Sequence, residues 1–214
     1  MNIFIVGDIH GCYYTFKNLL QKYWDDKNDL LIQVGDLIDR GNFSAQTIKF
    51  CRELEIKHNA VFLKGNHELM AINYFDGNGF EKWYTKYGKA VLWQYQLEEF
   101  DFENDLNWLR KMPIKWENDS VFISHAGRSN SENYLEENNK EGLLWNKSEI
   151  KKLNKIQVIG HTPHENKKPV FLPEYNTWNI DTGAYLGKFL SALKLDENGN
   201  FIDFYSVATS SKDI

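Results

Sequence analysis

Six side chains able to bind a metal ion share one kind of position in this chain, the end of a short apolar run. "FIVGDIH" stops at Asp8 and His10, and "LIQVGD" stops at Asp36. "VFLKGN" stops at Asn66, "VFISH" at His125 and "QVIGH" at His161. In four of these five runs a glycine comes directly before the first such residue, and glycine permits a sharp turn and a close backbone approach. If the runs are strands of an open α/β sheet, their carboxyl ends line one crevice and the side chains can converge there. Of the six histidines, only His58, in the polar "EIKHNA", reads as an ordinary surface residue. His10, His67, His125, His161 and His164 all fall in strand-end segments or in the "GNHE" turn. One histidine alone is more often structural than a ligand, but five concentrated in this way are hard to read as structural.

Asp, His and Asn without a thiolate form a hard-to-intermediate donor set that suits Mn²⁺, Fe or Zn²⁺ and argues against a Cys-type structural zinc site. Six ligands are too many for one ion with an open position, and they fit two ions sharing a bridging carboxylate. Two ions about 3.5–4 Å apart can hold both the attacking and the leaving oxygen of an in-line phosphoryl displacement. The expected chemistry is metal-assisted hydrolysis of a phosphate ester. "GDLIDRG" adds Arg40, whose guanidinium can grip a phosphoryl group with two N–H bonds, and Asp39. A carboxylate at Asp39 can orient a catalytic histidine and raise its pKa, keeping it protonated as a general acid.

The elements that must position these groups can also be read. "NIFIVG", "DLLIQVG" and "AVFLKG" read as buried strands, separated by the amphipathic helices "YYTFKNLLQKYW" and "SAQTIKFCRELEI". That βαβαβ pattern predicts a parallel sheet with crossover helices. From Glu68 to about Met112 the chain reads as helical and aromatic, with Trp83, Tyr84, Tyr87, Trp93, Tyr95, Phe100, Phe102 and Trp108. Such stripes are usually core, and a substrate-facing, cap-like segment over about 70–112 is the alternative. "IKWENDSVFISHAG" predicts a hairpin, then a polar helical stretch, then the strands "IQVIGH", "TWNIDTG", "FLSALKLD" and "FIDFYSV". The expected fold class is α/β, an α+β sandwich of two stacked mixed β-sheets flanked by helices. It is expected to form a single domain over residues 1–214.

Composition narrows the partners. The formal net charge of −5 gives no electrostatic footprint for nucleic acid. No apolar run approaches the length that spans a bilayer, and the N-terminus has no basic start or cleavage site, so a cytoplasmic protein is expected. Cys12 and Cys51 are too few for a disulfide framework and read as reduced.

"GDIHG" (7–11), "GDLIDRG" (35–41), "GNHE" (65–68), "SHAG" (124–127) and "GHTPH" (160–164) together resemble the motif set of the calcineurin-like metallophosphoesterases, phosphoprotein phosphatase branch. The resemblance extends through "WNIDTGAYLGKFLSALKLD" and so covers nearly the whole chain. It implies that Asp8 and His10 bind one divalent ion, that Asp36 bridges, and that Asn66, His125 and His161 hold the other. The expected pair is Mn²⁺, with Fe or Zn²⁺ as alternatives. His67 would be the general acid hydrogen-bonded to Asp39, Arg40 would clamp the phosphoryl oxygens, and a bridging hydroxide would attack. Glu68 reads as a helix-start residue near the positive end of the dipole.

The chain length resembles that of the bacterial and bacteriophage lambda-type protein phosphatases, and the implied substrate is a phosphoserine or phosphothreonine protein or peptide. Hydrolysis of a dinucleoside polyphosphate such as diadenosine tetraphosphate, or of another small phosphate compound, is the alternative. Where the lambda-like group has an arginine after "LLW", this chain has Lys147, which keeps the charge but loses the fork. Arg128, just after "SHAG", is a candidate substitute for that second phosphate contact. A non-catalytic binding protein on the same scaffold would have lost ligands or the proton donor, and this chain keeps all of them.

Overall fold

A computed structural model describes residues 1–214. The strands β1 (Asn2–Val6), β2 (Asp29–Gln33) and β3 (Ala60–Phe62) pair in parallel. The helices α1 (Tyr13–Tyr23) and α2 (Ser44–Lys57) make the two crossovers. Two late strands, β9 (Phe189–Leu195) and β10 (Phe201–Ala208), join antiparallel beyond β1, giving the order β10-β9-β1-β2-β3. The second sheet contains β4 (Lys115–Glu117), β5 (Val121–Ser124), β6 (Ile156–Ile159), β7 (Val170–Leu172) and β8 (Thr177–Asn179), in the order β4-β5-β6-β8-β7. Both sheets mix parallel and antiparallel pairs, as the sequence leads one to expect.

The period of two along β1 and β2 explains the layering, since alternate residues leave opposite faces of a sheet. Ile3, Ile5 and Ile32 point to one side and meet Val121, Ile123 and Val158 of the second sheet, with Ile180 just beyond β8. Phe4, Val6 and Leu31 point to the other side, where Phe16, Leu19 and Ile48 of the crossover helices cover them. Each such side chain contributes roughly 1.5–3 kcal/mol when fully buried, and β2 has no exposed residue.

Between β3 and β4 in sequence lie α3 (Asn66–Phe75), α4 (Glu81–Trp83), a π-helical turn (Tyr84–Gly88), α5 (Lys89–Glu98) and α6 (Phe102–Lys111). Trp83, Val91, Tyr95, Leu106 and Leu109 from this stretch enter the larger core. No helix of the structure is long and apolar enough to cross a membrane. Cys12 and Cys51 are buried and unpaired by disulfide.

Two local expectations differ from the structure. The polar stretch between β5 and β6 contains no helix and is a run of turns. Its large buried apolar residues, Leu143 and Leu144, are adjacent and not at helical spacing, and side chains bond its backbone instead: Ser129 Oγ donates to the Glu141 carbonyl (2.5 Å) and Asn139 Nδ2 to the Asn133 carbonyl (2.9 Å). β7, an edge strand lying between Pro169 and Pro173, is too short and too closely bracketed to announce itself.

The start of α1 is capped from the far end of the chain. Cys12 at the N-cap offers no side-chain bond. Asp213 is fully buried, and its carboxylate accepts from the Tyr14 N–H (3.1 Å), the Thr15 N–H (2.8 Å) and the Thr15 hydroxyl (2.6 Å). Its own carbonyl accepts from the Asn42 N–H at 2.9 Å, tying the tail to the loop that carries Arg40. Asp213→Ala is expected to destabilise the protein by about 1–3 kcal/mol, read as a lower urea midpoint at unchanged m. An unchanged midpoint contradicts this account of the cap.

Candidate metal centre

The six metal-ligand candidates all stand just beyond strand ends. Asp8 and His10 follow β1, Asp36 follows β2, and Asn66 opens α3 after β3. His125 follows β5 and His161 follows β6, so each sheet supplies part of one cluster. Eight non-glycine residues have a left-handed backbone, and five of them are His10, Asp36, Asp39, Arg40 and His161. Strain of this kind costs of order 1–3 kcal/mol per residue and persists where surrounding structure holds it in place. Glycines make the room: a Cβ on Gly65 would collide with Asp36 Oδ1, and one on Gly160 with Asp8 Oδ1.

Asp36 is the hub, and it is 2% exposed. Its Oδ2 lies 3.3 Å from His10 Nε2, 3.4 Å from His125 Nε2 and 4.0 Å from His67 Nε2. Asn66 Oδ1 lies 2.9 Å from His125 Nε2 and 3.0 Å from His161 Nδ1. The outer ring nitrogens reveal the tautomers. His10 Nδ1 is 2.8 Å from the Ile38 carbonyl and His125 Nδ1 is 3.2 Å from the Val34 carbonyl, so both carry hydrogen there. In the neutral rings, the lone pairs on Nε2 then face Asp36 and Asn66 oxygens that are themselves acceptors. His10 Nε2 is buried without any hydrogen-bond partner. Lone pairs converging on lone pairs in a buried space fit cations, and two overlapping donor groups share Asp36: His10–Asp36–His67 and Asp36–His125–His161.

The electrostatics agree. Burial opposes charge on Asp36, yet His125, His67 and His10 hold its carboxyl well below the usual range. Burial and neighbouring Asp181 push Asp8 well above it. Burial also opposes charge on His125, but Asp36 and Asp8 outweigh it and push the imidazole up to about 9. The negative charge of Asp36 and Asp8 around His125 is the field that favours a cation at this place. Asp181, buried beside Asp8 at the end of β8, is a site residue absent from the sequence reading. The signal was available, because "TWNID" ends at a carboxylate just as the other runs end at their ligands.

Glu68 does more than face a helix dipole. Fully buried, it accepts four backbone N–H bonds, from Leu37 (2.8 Å) and Ile38 (3.2 Å) at Oε1 and from Asp36 (2.9 Å) and Gly65 (2.8 Å) at Oε2. It therefore clamps the Asp36 loop to the Gly65–Asn66 loop. Burial, with the Asp36 charge adding to it, pushes Glu68 up to about 7.

His67 Nδ1 contacts Asp39 Oδ2 at 2.5 Å, and the Arg40 guanidinium donates to His67 Nε2 at 3.0 Å. The expectation that Asp39 raises the His67 pKa is not met. Burial dominates and pushes the imidazole down to about 4 while it pushes Asp39 up to about 7. Arg40 also lies over the Tyr185 ring, 3.9 Å from its centroid, an aromatic contact that no motif announces.

The second phosphate contact is corrected in part. Arg128 is spent elsewhere: its guanidinium stacks on Tyr134 at 3.2 Å and donates to the Ser129 and Ser131 carbonyls. Lys147 is exposed, and its charge reaches His161, which burial, His125 and Lys147 together push down to about 3. His164 stands apart from the cluster, with Nε2 at 3.3 Å from the Asn179 carbonyl.

Stacked mixed sheets with this donor set at their strand ends define a metallophosphoesterase. The chain belongs to the calcineurin-like phosphoesterase family, whose family model matches residues 1–196. It is 36% identical over 131 residues to the symmetrical bis(5'-nucleosyl)-tetraphosphatase of Erwinia tasmaniensis, covering 59% of this chain and 44% of that protein. It is 35% identical over 104 residues to the serine/threonine-protein phosphatase SIT4 of Candida albicans, covering 46% and 33% respectively. The match thus spans less than half the length of these curated relatives. A solved candidate diadenosine tetraphosphatase superposes with a TM-score of 0.66 over 98% of this chain and 94% of its own, at 20% identity, and shares the fold.

Glu68→Gln tests the clamp. An amide keeps the shape but turns an N–H₂ group toward backbone donors, so a loss of about 2–4 kcal/mol is expected in urea unfolding. A variant as stable as the parent contradicts the role given to Glu68.

Proposed function

We propose that this chain is a metal-dependent hydrolase with a dinuclear centre, and that its substrate is a symmetrical dinucleoside tetraphosphate. The observation that carries the catalytic reading is the convergence of the His10 and His125 lone pairs on the Asp36 carboxylate. Asp8 and His10 would hold one divalent ion, Asn66, His125 and His161 the other, and Asp36 both. Such ions supply an activated water and neutralise phosphoryl charge, and Mn²⁺ suits the donors. His67 is left out of the ligand set, although its Nε2 lies near Asp36, because the Arg40 guanidinium occupies that edge of the ring and repels a cation.

The remaining roles follow from the side chains. Arg40 is placed to leave His67 for the phosphoryl oxygens, gripping two of them through its fork. Arg40 helps burial push the His67 pKa down, so its withdrawal would let Nε2 take up the proton passed toward the leaving oxygen, while Asp39 fixes Nδ1. Lys147, exposed beside His161, adds positive charge near an anionic substrate. Cleavage at the central anhydride would return two nucleoside diphosphates.

The substrate reading rests on the 36% identical tetraphosphatase and so displaces a phosphoprotein from first place. A second reading, phosphoserine or phosphothreonine in a protein, is favoured by the buried His67–Asp39 pair. An alkoxide leaving group needs a proton more than a nucleoside diphosphate does. The SIT4 match points the same way.

With Mn²⁺, kcat/KM is expected to be higher on diadenosine tetraphosphate than on phosphoserine or phosphotyrosine peptides, and EDTA should abolish all turnover. A higher value on phosphoserine peptide selects the second reading, and an inert metal-loaded protein overturns both. His67→Asn is expected to cut turnover by at least about 10²-fold with both ions still bound, whereas Asn66→Ala should weaken ion binding. Loss of metal from the His67 variant means that the two roles are wrongly divided.

A further inference from the structure

Asp39 Oδ2 accepts a second hydrogen bond that the reaction scheme does not require. The indole Nε1–H of Trp83 donates to it at 2.9 Å, beside the 2.5 Å contact from His67 Nδ1. Asp39 is wholly buried and its Oδ1 has no partner, so the indole and the imidazole are the side chains that fix the orientation of this carboxylate. An unpaired buried carboxylate is costly. A neutral N–H donor offsets part of that cost without placing a second cation beside the metal cluster.

The helical stretch is shaped to deliver that donor. Trp83 is 2% exposed and ends α4, directly before the π-helical turn of residues 84–88. Single π turns recur at functional sites because they re-aim side chains within a helix. Here the turn carries Tyr87 to within 5.1 Å of the His67 ring, measured between centroids, so Trp83 and Tyr87 reach the two halves of one pair. Gly88 closes the turn under the indole. A Cβ there would lie 2.7 Å from Trp83 Cζ3 and 2.9 Å from Cη2, although the backbone itself is ordinary for a helix. Tyr74 and Phe75 at the end of α3 close the other side of the indole.

We propose that Trp83 is a positioning residue for proton delivery: its indole N–H holds the Asp39 carboxylate, which holds His67 with Nε2 toward the reacting phosphate. This rests on the reading of His67 as the proton donor. The helical stretch then has a task beyond packing, since it supplies the outermost member of the chain Trp83–Asp39–His67. Because Trp83 touches neither substrate nor ion, its effect should scale with how much the leaving group needs a proton. p-Nitrophenolate needs one little and the serine alkoxide needs one greatly.

The test compares Trp83→Phe with the parent, both loaded with Mn²⁺, on p-nitrophenyl phosphate and on a phosphoserine peptide. The loss in kcat on the peptide is expected to exceed that on the aryl ester by at least about tenfold, a part of the 10²–10⁴ that general acid catalysis contributes. In an Asp39→Asn background the same substitution should cost nothing more on either substrate. Equal losses on both esters, no loss on either, or full additivity with Asp39→Asn would each overturn the proposal. If Trp83→Phe shows no cooperative melt, Gly88→Ala takes its place. It keeps the N–H and a good helix former but crowds the indole, and the same selective loss is expected. A parent protein inert with Mn²⁺ on both esters and on diadenosine tetraphosphate would instead refute the hydrolase reading on which the proposal rests.

Discussion

The structure depends on keeping the Asp36 carboxylate ionised in a place that water does not reach. A buried carboxylate is expensive unless opposite charge or hydrogen bonds surround it. Three histidines approach it, and Asp8 and Asp181 crowd the same space with further negative charge. No lysine or arginine is buried among them. Divalent cations would balance that charge, which is why the donors read as a binding site and not as an ion-pair network. Much of the local sequence follows from that constraint. Gly65 and Gly160 leave room for carboxylate oxygens, and five residues hold left-handed backbones that only a well-braced loop retains.

The bracing comes from two directions. Glu68 ties the loops after β2 and β3 together through four backbone bonds, and the inter-sheet core fixes the distance between the halves of the cluster. Asp8, His10, Asp36 and Asn66 come from the first sheet, and His125 and His161 from the second. A shift of one sheet over the other would therefore part the donors, so the packing of Ile5 and Ile32 on Ile123 and Val158 bears on the site as directly as the ligands do.

The sequence displays the parts of this that are local and periodic. Strands ending in ligands are visible because apolar runs and punctuating glycines lie next to each other in the chain. The βαβαβ start is visible because its helices have clear apolar faces. What stays hidden is contact between distant segments. Asp213 caps a helix almost two hundred residues away, and Trp83 looks like any core aromatic until the fold sets it on Asp39. Arg128 follows a motif and still turns to Tyr134, because neighbouring carbonyls satisfy it first. Asp181 obeys the strand-end rule, but Thr182 and Gly183 after it look like an ordinary turn. The direction of the His67 shift is hidden for a different reason: motif spacing shows the Asp39 charge but not the burial that outweighs it.

Calorimetric titration of the metal-stripped protein with Mn²⁺, beside Asp36→Asn, tests the central claim most directly. The parent should bind two ions per chain, and the variant should lose the paired binding while keeping its fold by circular dichroism. A parent that binds no Mn²⁺, or a variant that still binds two ions with the parent's affinity, would contradict the claim that Asp36 is the shared centre of a dinuclear site.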